Sequence, residues 1–126
     1  MPDPLDLNRS GIRTILLGVA NLETALAFYR DRLGLPVQFS IPGFAFLSAG
    51  PLTLGLSEPV ARGYGAAPGA VELVFSVEDV KSAYATLKER GVTFKNEPRQ
   101  VTPKEWAANF DDPDGHHLSI FGPPGA

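Results

Sequence analysis

The sequence predicts an α+β fold in which two tandem βαβββ modules form a cup-shaped mixed sheet with the helices on its outside. The main observation is an internal repeat at an offset of 58 residues, which becomes 66 past the first helix. A second observation is that strand-like and helix-like patterns follow the same order in both halves. The aligned pairs are Gly11 with Gly69, Val19 with Val77, Asn21 with Asp79, Leu52 with Leu118, and Leu54 with Ile120.

The first module spans about residues 11–57. Its first segment alternates aliphatic side chains with a mixed set, which predicts a strand with two unlike faces. Asn21 is a good N-cap for a helix over 22–33, and Gly34 ends that helix as a C′ glycine does. Glycine and proline then separate three further predicted strands, at 37–40, 44–48 and 52–57.

The second module spans about residues 71–122 and repeats this pattern. A strand over 70–77 precedes Asp79, which caps a second helix that Gly91 closes. The remaining predicted strands are VTFK (92–95), WAANFD (106–111) and HLSIF (117–121).

The segment 58–70 separates the two modules. It contains three glycines, two prolines and four alanines, so it offers little to pack and is predicted to be a linker. Both modules are expected to belong to a single domain, 1–126.

Composition excludes several classes of protein. The chain has 126 residues, 44% of them hydrophobic and 20% charged, which is the profile of one compact soluble domain. The absence of cysteine excludes disulfides, thiolate zinc sites and cysteine nucleophiles. The net charge of −3, without any basic block, argues against nucleic-acid binding.

Membrane insertion and secretion are also not expected. No apolar run approaches the ~20 residues that a membrane-spanning helix needs. The first residues, MPDPLDLNRSG, carry acids and prolines where a signal peptide would have basic and then apolar residues. We therefore expect a cytoplasmic protein.

One face of the predicted sheet is suited to binding a small molecule. Alternation places Ile15, Leu17 and Val19, with their counterparts in the second module, beneath the helices. The opposite face is half polar and rich in small residues, so it is expected to form the floor of an open cup. This face carries Thr14, Leu16, Gly18, Thr53, Gly55, Ser57, Glu72, Val74, Ser76, His117, Ser119 and Phe121.

Three segments resemble the vicinal oxygen chelate superfamily, which includes glyoxalase I, extradiol dioxygenases, fosfomycin-resistance enzymes and bleomycin-resistance binding proteins. They are VANLETALAFYRDRLGLPV (19–37), SVEDVKSAYATLKERGV (76–92) and FDDPDGHHLSIFG (110–122). The resemblance covers nearly the whole chain and implies paired βαβββ units that form a cup. It also implies a two-fold homodimer.

The resemblance further implies where a metal would bind. Enzymes of the superfamily hold a divalent ion with His, Gln or Glu at four strand positions, which fall here on Thr14, Thr53, Glu72 and Ser119. Only Glu72 is a competent ligand, and a transition-metal site normally needs about three protein donors. The chain is therefore similar to the metal-free, bleomycin-resistance-like members, and no metal or other cofactor is expected.

Individual candidates have competing interpretations. Glu72 is expected to anchor a ligand amine or hydroxyl, or else to reach solvent or pair with an arginine, because a buried carboxylate needs a partner. His117 is expected to hydrogen-bond at the cup rim, the alternative being a lone metal ligand beside Glu72. Trp106 and Phe110 are expected to form aromatic walls that stack on a planar ligand, although core packing is the alternative for each.

The leading hypothesis for function is metal-independent binding of a small apolar or aromatic ligand, as in antibiotic-sequestering proteins. The alternative is a metal-dependent lyase or dioxygenase with atypical ligands, whose catalytic residues the sequence does not identify. A second alternative is a partner-binding module without a ligand. In the leading hypothesis the cup residues Thr14, Thr53, Glu72, Trp106, Phe110, His117 and Ser119 contact the ligand.

Overall fold

The computed structural model describes residues 6–10, 12–64 and 72–125. Apart from two short additional helices and a displaced edge strand, its elements follow the order that the repeat predicts. The elements are α1 (Leu7–Ser10), β1 (Thr14–Gly18), α2 (Leu22–Leu26, continuing as a π-helical segment Ala27–Arg32), β2 (Val37–Ile41), β3 (Phe44–Ala49), β4 (Leu52–Ser57), α3 (Glu58–Tyr64), β5 (Glu72–Ser76), α4 (Val80–Glu89), β6 (Arg99–Gln100), β7 (Trp106–Asp111) and β8 (His117–Gly122).

The strands form two four-stranded mixed sheets of the same topology. The first has the order β1-β4-β3-β2 and the second β5-β8-β7-β6. In each sheet the first strand of the module pairs in parallel with the last, and the other pairs are antiparallel. The α+β class and the two βαβββ units are therefore confirmed.

The first compact unit contains β1 to β4 and α3. Leu17, Leu47 and Leu56 are buried on one face of its sheet, as the alternation predicts. Helix α3 packs closely on β1 at Gly18. A Cβ atom at this position would lie only 3.0 Å from the Cα of Ala61 in α3, which leaves no room for a larger residue. Within the described residues no helix is long and apolar enough to span a membrane.

The second compact unit contains β5 to β8, α4 and also residues 23–34. Most of α2, which precedes the first module's remaining strands in sequence, therefore packs with the second sheet. The ring centroids of Phe28 and Phe110 are 6.2 Å apart, and those of Phe110 and Phe94 are 5.1 Å apart. The compact units consequently do not coincide with the sequence modules 11–57 and 71–122.

A buried hydrogen bond joins two of the three segments that resemble the superfamily, 19–37 and 110–122. Tyr29, in the FYRDRLGL segment, is fully buried and donates its hydroxyl to Asp112 Oδ2 over 2.7 Å. Asp112 belongs to the DPDG turn, and its Oδ1 accepts the backbone N–H groups of Asp114 and His116. Burial raises the pKa of Asp112, and the bonds from Tyr29 and His116 partly offset that effect.

Two predicted segments differ from the structure. Residues 58–64 of the predicted linker form α3, and residues 65–71 lie outside the described residues. Ser57 Oγ accepts the backbone N–H of Val60, which is the hydrogen bond of a helix N-cap. The segment 92–95 is not a strand, because only Phe94 makes an isolated bridge, to Phe110, and the edge strand is Arg99–Gln100 instead.

Candidate functional site

The second sheet has a hollow of about 400 Å³ on the face opposite its helices. This volume is in the range of small-molecule sites. Four strands contribute to it, and both charged and apolar side chains line it. The lining residues are Glu72, Val74, Arg99, Val101, Ala107, Asn109, Ser119 and Phe121.

A chain of hydrogen bonds crosses the floor of this hollow. Ser119 Oγ donates to Glu72 Oε2 over 3.1 Å, and Asn109 Nδ2 donates to Glu72 Oε1 over 3.0 Å. Arg99 Nη2 donates to Asn109 Oδ1 over 3.4 Å, and Asn96 Oδ1 accepts the backbone N–H of Asn109 over 2.8 Å. Asn109 is thus held between an acidic and a basic residue, and its contacts fix the position of the Glu72 carboxylate.

A second polar cluster lies at the end of the same face. Asp111 Oδ1 contacts Lys95 Nζ at 2.9 Å and His117 Nδ1 at 3.0 Å. Lys95 Nζ also lies 3.2 Å from His117 Nδ1. Partial burial opposes ionisation of Asp111, but the hydrogen bonds from Lys95 and His117 outweigh it and hold its pKa below the ordinary value of 3.8.

The strand register brings three of the predicted site residues together in the second sheet. Glu72 is paired with His117 across β5 and β8, and Ser119 lies two residues further along β8 on the same face. Ser119 is buried, whereas Glu72 is exposed and His117 is partly exposed. The exposed Val74 lies on this face as well, as the alternation predicts.

Thr14 and Thr53 lie in the first sheet, directly opposite each other in register. Both side chains are half-buried. The next positions on that face are Leu16 and Gly55, and they are followed across the sheet by Phe46 and the exposed Phe39. The first sheet therefore carries a largely apolar band beside its two threonines.

The prediction that Trp106 and Phe110 line the cup is wrong. Both alternate with the hollow residues Ala107 and Asn109 along β7, so they point to the helix-covered face. Phe110 is 1% exposed, and Lys81 of α4 lies over the Trp106 ring at 5.2 Å. Core packing, the alternative interpretation, accounts for Phe110.

The residues at the expected metal positions do not fit a metal site. In the first sheet these positions hold two threonines, and in the second they hold Glu72 and Ser119. The Ser119 hydroxyl already donates a hydrogen bond to the Glu72 carboxylate. Neutral hydroxyls are poor ligands for zinc and similar ions. Among the residues that the structure describes, no three His, Cys, Asp or Glu side chains come together in a group able to hold an ion.

Sequence reasoning missed the polar residues of the hollow that lie on β6 and β7. Arg99 lies on a two-residue strand, which is too short to show any periodicity. Asn109 had a usable signal, because it alternates with Phe110 and had to face away from the core. Apolar Val101 and Ala107 gave no signal that separates them from core residues.

Comparison with known proteins gives consistent matches. The sequence family described as "Glyoxalase/Bleomycin resistance protein/Dioxygenase superfamily" matches residues 11–120. The uncharacterized protein YraH of Bacillus subtilis (strain 168) is 32% identical over 122 residues, covering 85% of this chain and 94% of its own.

Two crystal structures illustrate the structural similarity. A glyoxalase/bleomycin resistance protein/dioxygenase from Nocardioides is 23% identical with a TM-score of 0.74, over 92% of this chain and 88% of that chain. TnmS3, an antibiotic binding protein from Streptomyces sp. CB03234, is 26% identical with a TM-score of 0.73, over 90% of this chain and 95% of that chain.

Proposed function

Because the chain belongs to the glyoxalase/bleomycin resistance protein/dioxygenase superfamily, we propose that it binds a small, largely apolar or aromatic molecule without a metal ion. The proposed site is the hollow on the open face of the second sheet. The observation that carries the proposal is that an exposed carboxylate, Glu72, shares a hollow of small-molecule size with apolar side chains.

The lining supports binding in two ways. Val74, Val101 and Phe121 supply apolar surface, and Val74 and Val101 are about half exposed, so a ligand that covers them would remove that surface from water. Glu72 is already oriented by Asn109 and Ser119, so a ligand amine or hydroxyl would meet an acceptor that does not need to reorganise.

The donor set supports metal independence. Hydroxyl residues occupy three of the four expected ligand positions, and Glu72 accepts hydrogen bonds from neutral protein groups on both of its oxygens. The similarity to TnmS3, an antibiotic binding protein, favours sequestration over catalysis.

A first experiment measures binding of the cationic planar dye proflavine by fluorescence. Replacing Glu72 with Gln should weaken binding about tenfold, because a hydrogen bond to a charged group contributes about 1.5 kcal/mol or more. Ser119→Ala, the matched control, should change affinity less than about threefold, because it keeps the Glu72 charge and the hydrogen bond from Asn109 that orients it. Equal affinity of the wild type and Glu72→Gln would contradict the assigned role of Glu72.

A second experiment tests the metal. Elemental analysis of the purified protein should find no stoichiometric Zn, Ni, Mn or Fe, and a chelator should leave the Tm unchanged, since a bound ion would stabilise the folded state. One equivalent of such an ion would instead favour an enzyme of the lyase or dioxygenase type.

A further inference from the structure

Arg99 lines the hollow and has no direct ion-pair partner among the described residues. We propose that Arg99 gives the hollow a binding point for an anionic oxygen group, such as a carboxylate or sulfonate, on an aromatic ligand. The proposal rests on the proposed function, because it names the class of ligand that the same hollow takes. It adds a second polar anchor, of opposite sign, to the one that Glu72 provides.

The contacts of Arg99 do not include a salt bridge. Its guanidinium contacts the amide oxygen of Asn109 at 3.4 Å, a long hydrogen bond to a neutral group. Within the described ranges no carboxylate lies within 4.0 Å of it. Two other cations of the second unit are paired with carboxylates, Lys95 with Asp111 at 2.9 Å and Arg30 with Asp31 at 2.8 Å.

Glu72 does not neutralise Arg99 although both line the hollow. The Asn109 amide lies between them. Its Nδ2 donates a hydrogen bond to Glu72, and its Oδ1 accepts one from Arg99. The Glu72 oxygens are directed to Asn109 and Ser119 instead. The hollow therefore presents a separate acceptor and a separate cation, and a ligand can engage each of them without breaking an ion pair.

The chemistry of the guanidinium defines the ligand group. Arginine presents a planar set of N–H donors that matches a carboxylate or sulfonate in a bidentate manner, and its plane also stacks on aromatic rings. Apolar Val101 and Phe121 line the same hollow and would shield part of a bound ligand from water. Exclusion of water strengthens the attraction between the guanidinium and an anion.

The test uses two dyes with the same aromatic skeleton. Both 8-anilinonaphthalene-1-sulfonate and N-phenyl-1-naphthylamine fluoresce in apolar sites, but only the first carries a sulfonate. The wild type should bind the sulfonate dye about tenfold more tightly, which corresponds to one charge-assisted hydrogen bond. Arg99→Gln should abolish this preference and leave the affinity for the neutral dye within about twofold.

The control is Arg90→Gln, which makes the same change of charge at an exposed arginine that contacts the Arg32 carbonyl. It should retain the tenfold preference. Near-UV circular dichroism verifies that the variants are folded, because the sulfonate dye also binds partly folded states. Equal binding of the two dyes by the wild type, or a preference that persists in Arg99→Gln, would overturn the role of Arg99. Failure of the folded wild type to bind the neutral dye would overturn the proposed function itself.

Discussion

The hydrogen bond from Tyr29 to Asp112 predicts that removal of the Tyr29 hydroxyl oxygen greatly lowers the stability of the fold. Tyr29→Phe keeps the ring, which packs edge-on against Phe28 at 5.1 Å, and deletes only the donor to Asp112 Oδ2. A hydrogen bond to a carboxylate contributes about 1.5–3 kcal/mol, and a buried acceptor left without its donor costs a comparable amount. We therefore expect the free energy of unfolding to fall by about 2 kcal/mol, or the Tm by about 8 °C.

The pH dependence of that difference has a definite sign. Burial, followed by the negative charge of Asp112, raises the pKa of Tyr29 well above its ordinary value of 10.0. Above pH 10 the unfolded wild type releases this proton while the folded protein retains it, so stability falls by about 1.4 kcal/mol per pH unit. Tyr29→Phe lacks this loss. The gap in stability between the two proteins should be constant below pH 9 and should narrow above pH 10.

Urea denaturation at pH 7 and at steps from pH 9 to 11 measures both effects. Tyr84→Phe is the matched control, because it deletes the same atom from a half-buried tyrosine whose hydroxyl makes no hydrogen bond within the described residues. Its stability should stay within about 0.5 kcal/mol of the wild type. The reasoning is refuted if Tyr29→Phe is equally well tolerated, or if the gap does not change up to pH 11.

Two further predictions concern the acidic limb and assembly. The pKa of Asp111 is lower in the folded protein than the value of 3.8 in the unfolded chain, so its ionisation stabilises the fold above pH 3.8 and this contribution is lost as the pH falls through the folded pKa. Asp111→Asn should therefore flatten the acid limb of a curve of Tm against pH. An unchanged limb would show that the cluster with Lys95 and His117 contributes nothing to stability. The edge strand β2 is exposed along its whole length and bears the apolar side chains of Phe39 and Ile41, so we expect the protein to form a homodimer. Light scattering should give the mass of two 13.5-kDa chains. A monomer at all concentrations would contradict this prediction.

The elements and their ends were largely predictable from the sequence because local chemistry determines them. Asp79 caps α4 by accepting the backbone N–H of Ser82, and Gly34 and Gly91 adopt the positive φ angles expected after a helix. Helix α3 was missed although Ser57 and Pro59 are a helix-start signal, because the glycines and alanines that follow dominated the composition.

The candidate site was predictable only in part. Glu72 and Ser119 follow from strand alternation, since each lies on a regular strand with an apolar opposite face. Arg99 depends on a two-residue edge strand, and its place in the hollow is decided by pairing with β7 rather than by its own neighbours. The packing of α2 on the second sheet likewise depends on contacts far apart in sequence, which periodicity does not encode.

The placement of α2 with the second sheet has a consequence for synthesis of the chain on the ribosome. Tyr29 and its partner Asp112 are 83 residues apart, so at roughly 5–20 residues per second the helix emerges about 4–17 s before the turn that receives its hydroxyl. The strands of the first sheet can pair during that interval. Phe28 and Tyr29 cannot yet contact Phe110 and Asp112, which have not been synthesised. The nascent chain therefore holds these two aromatic side chains without their native contacts in the second sheet for several seconds.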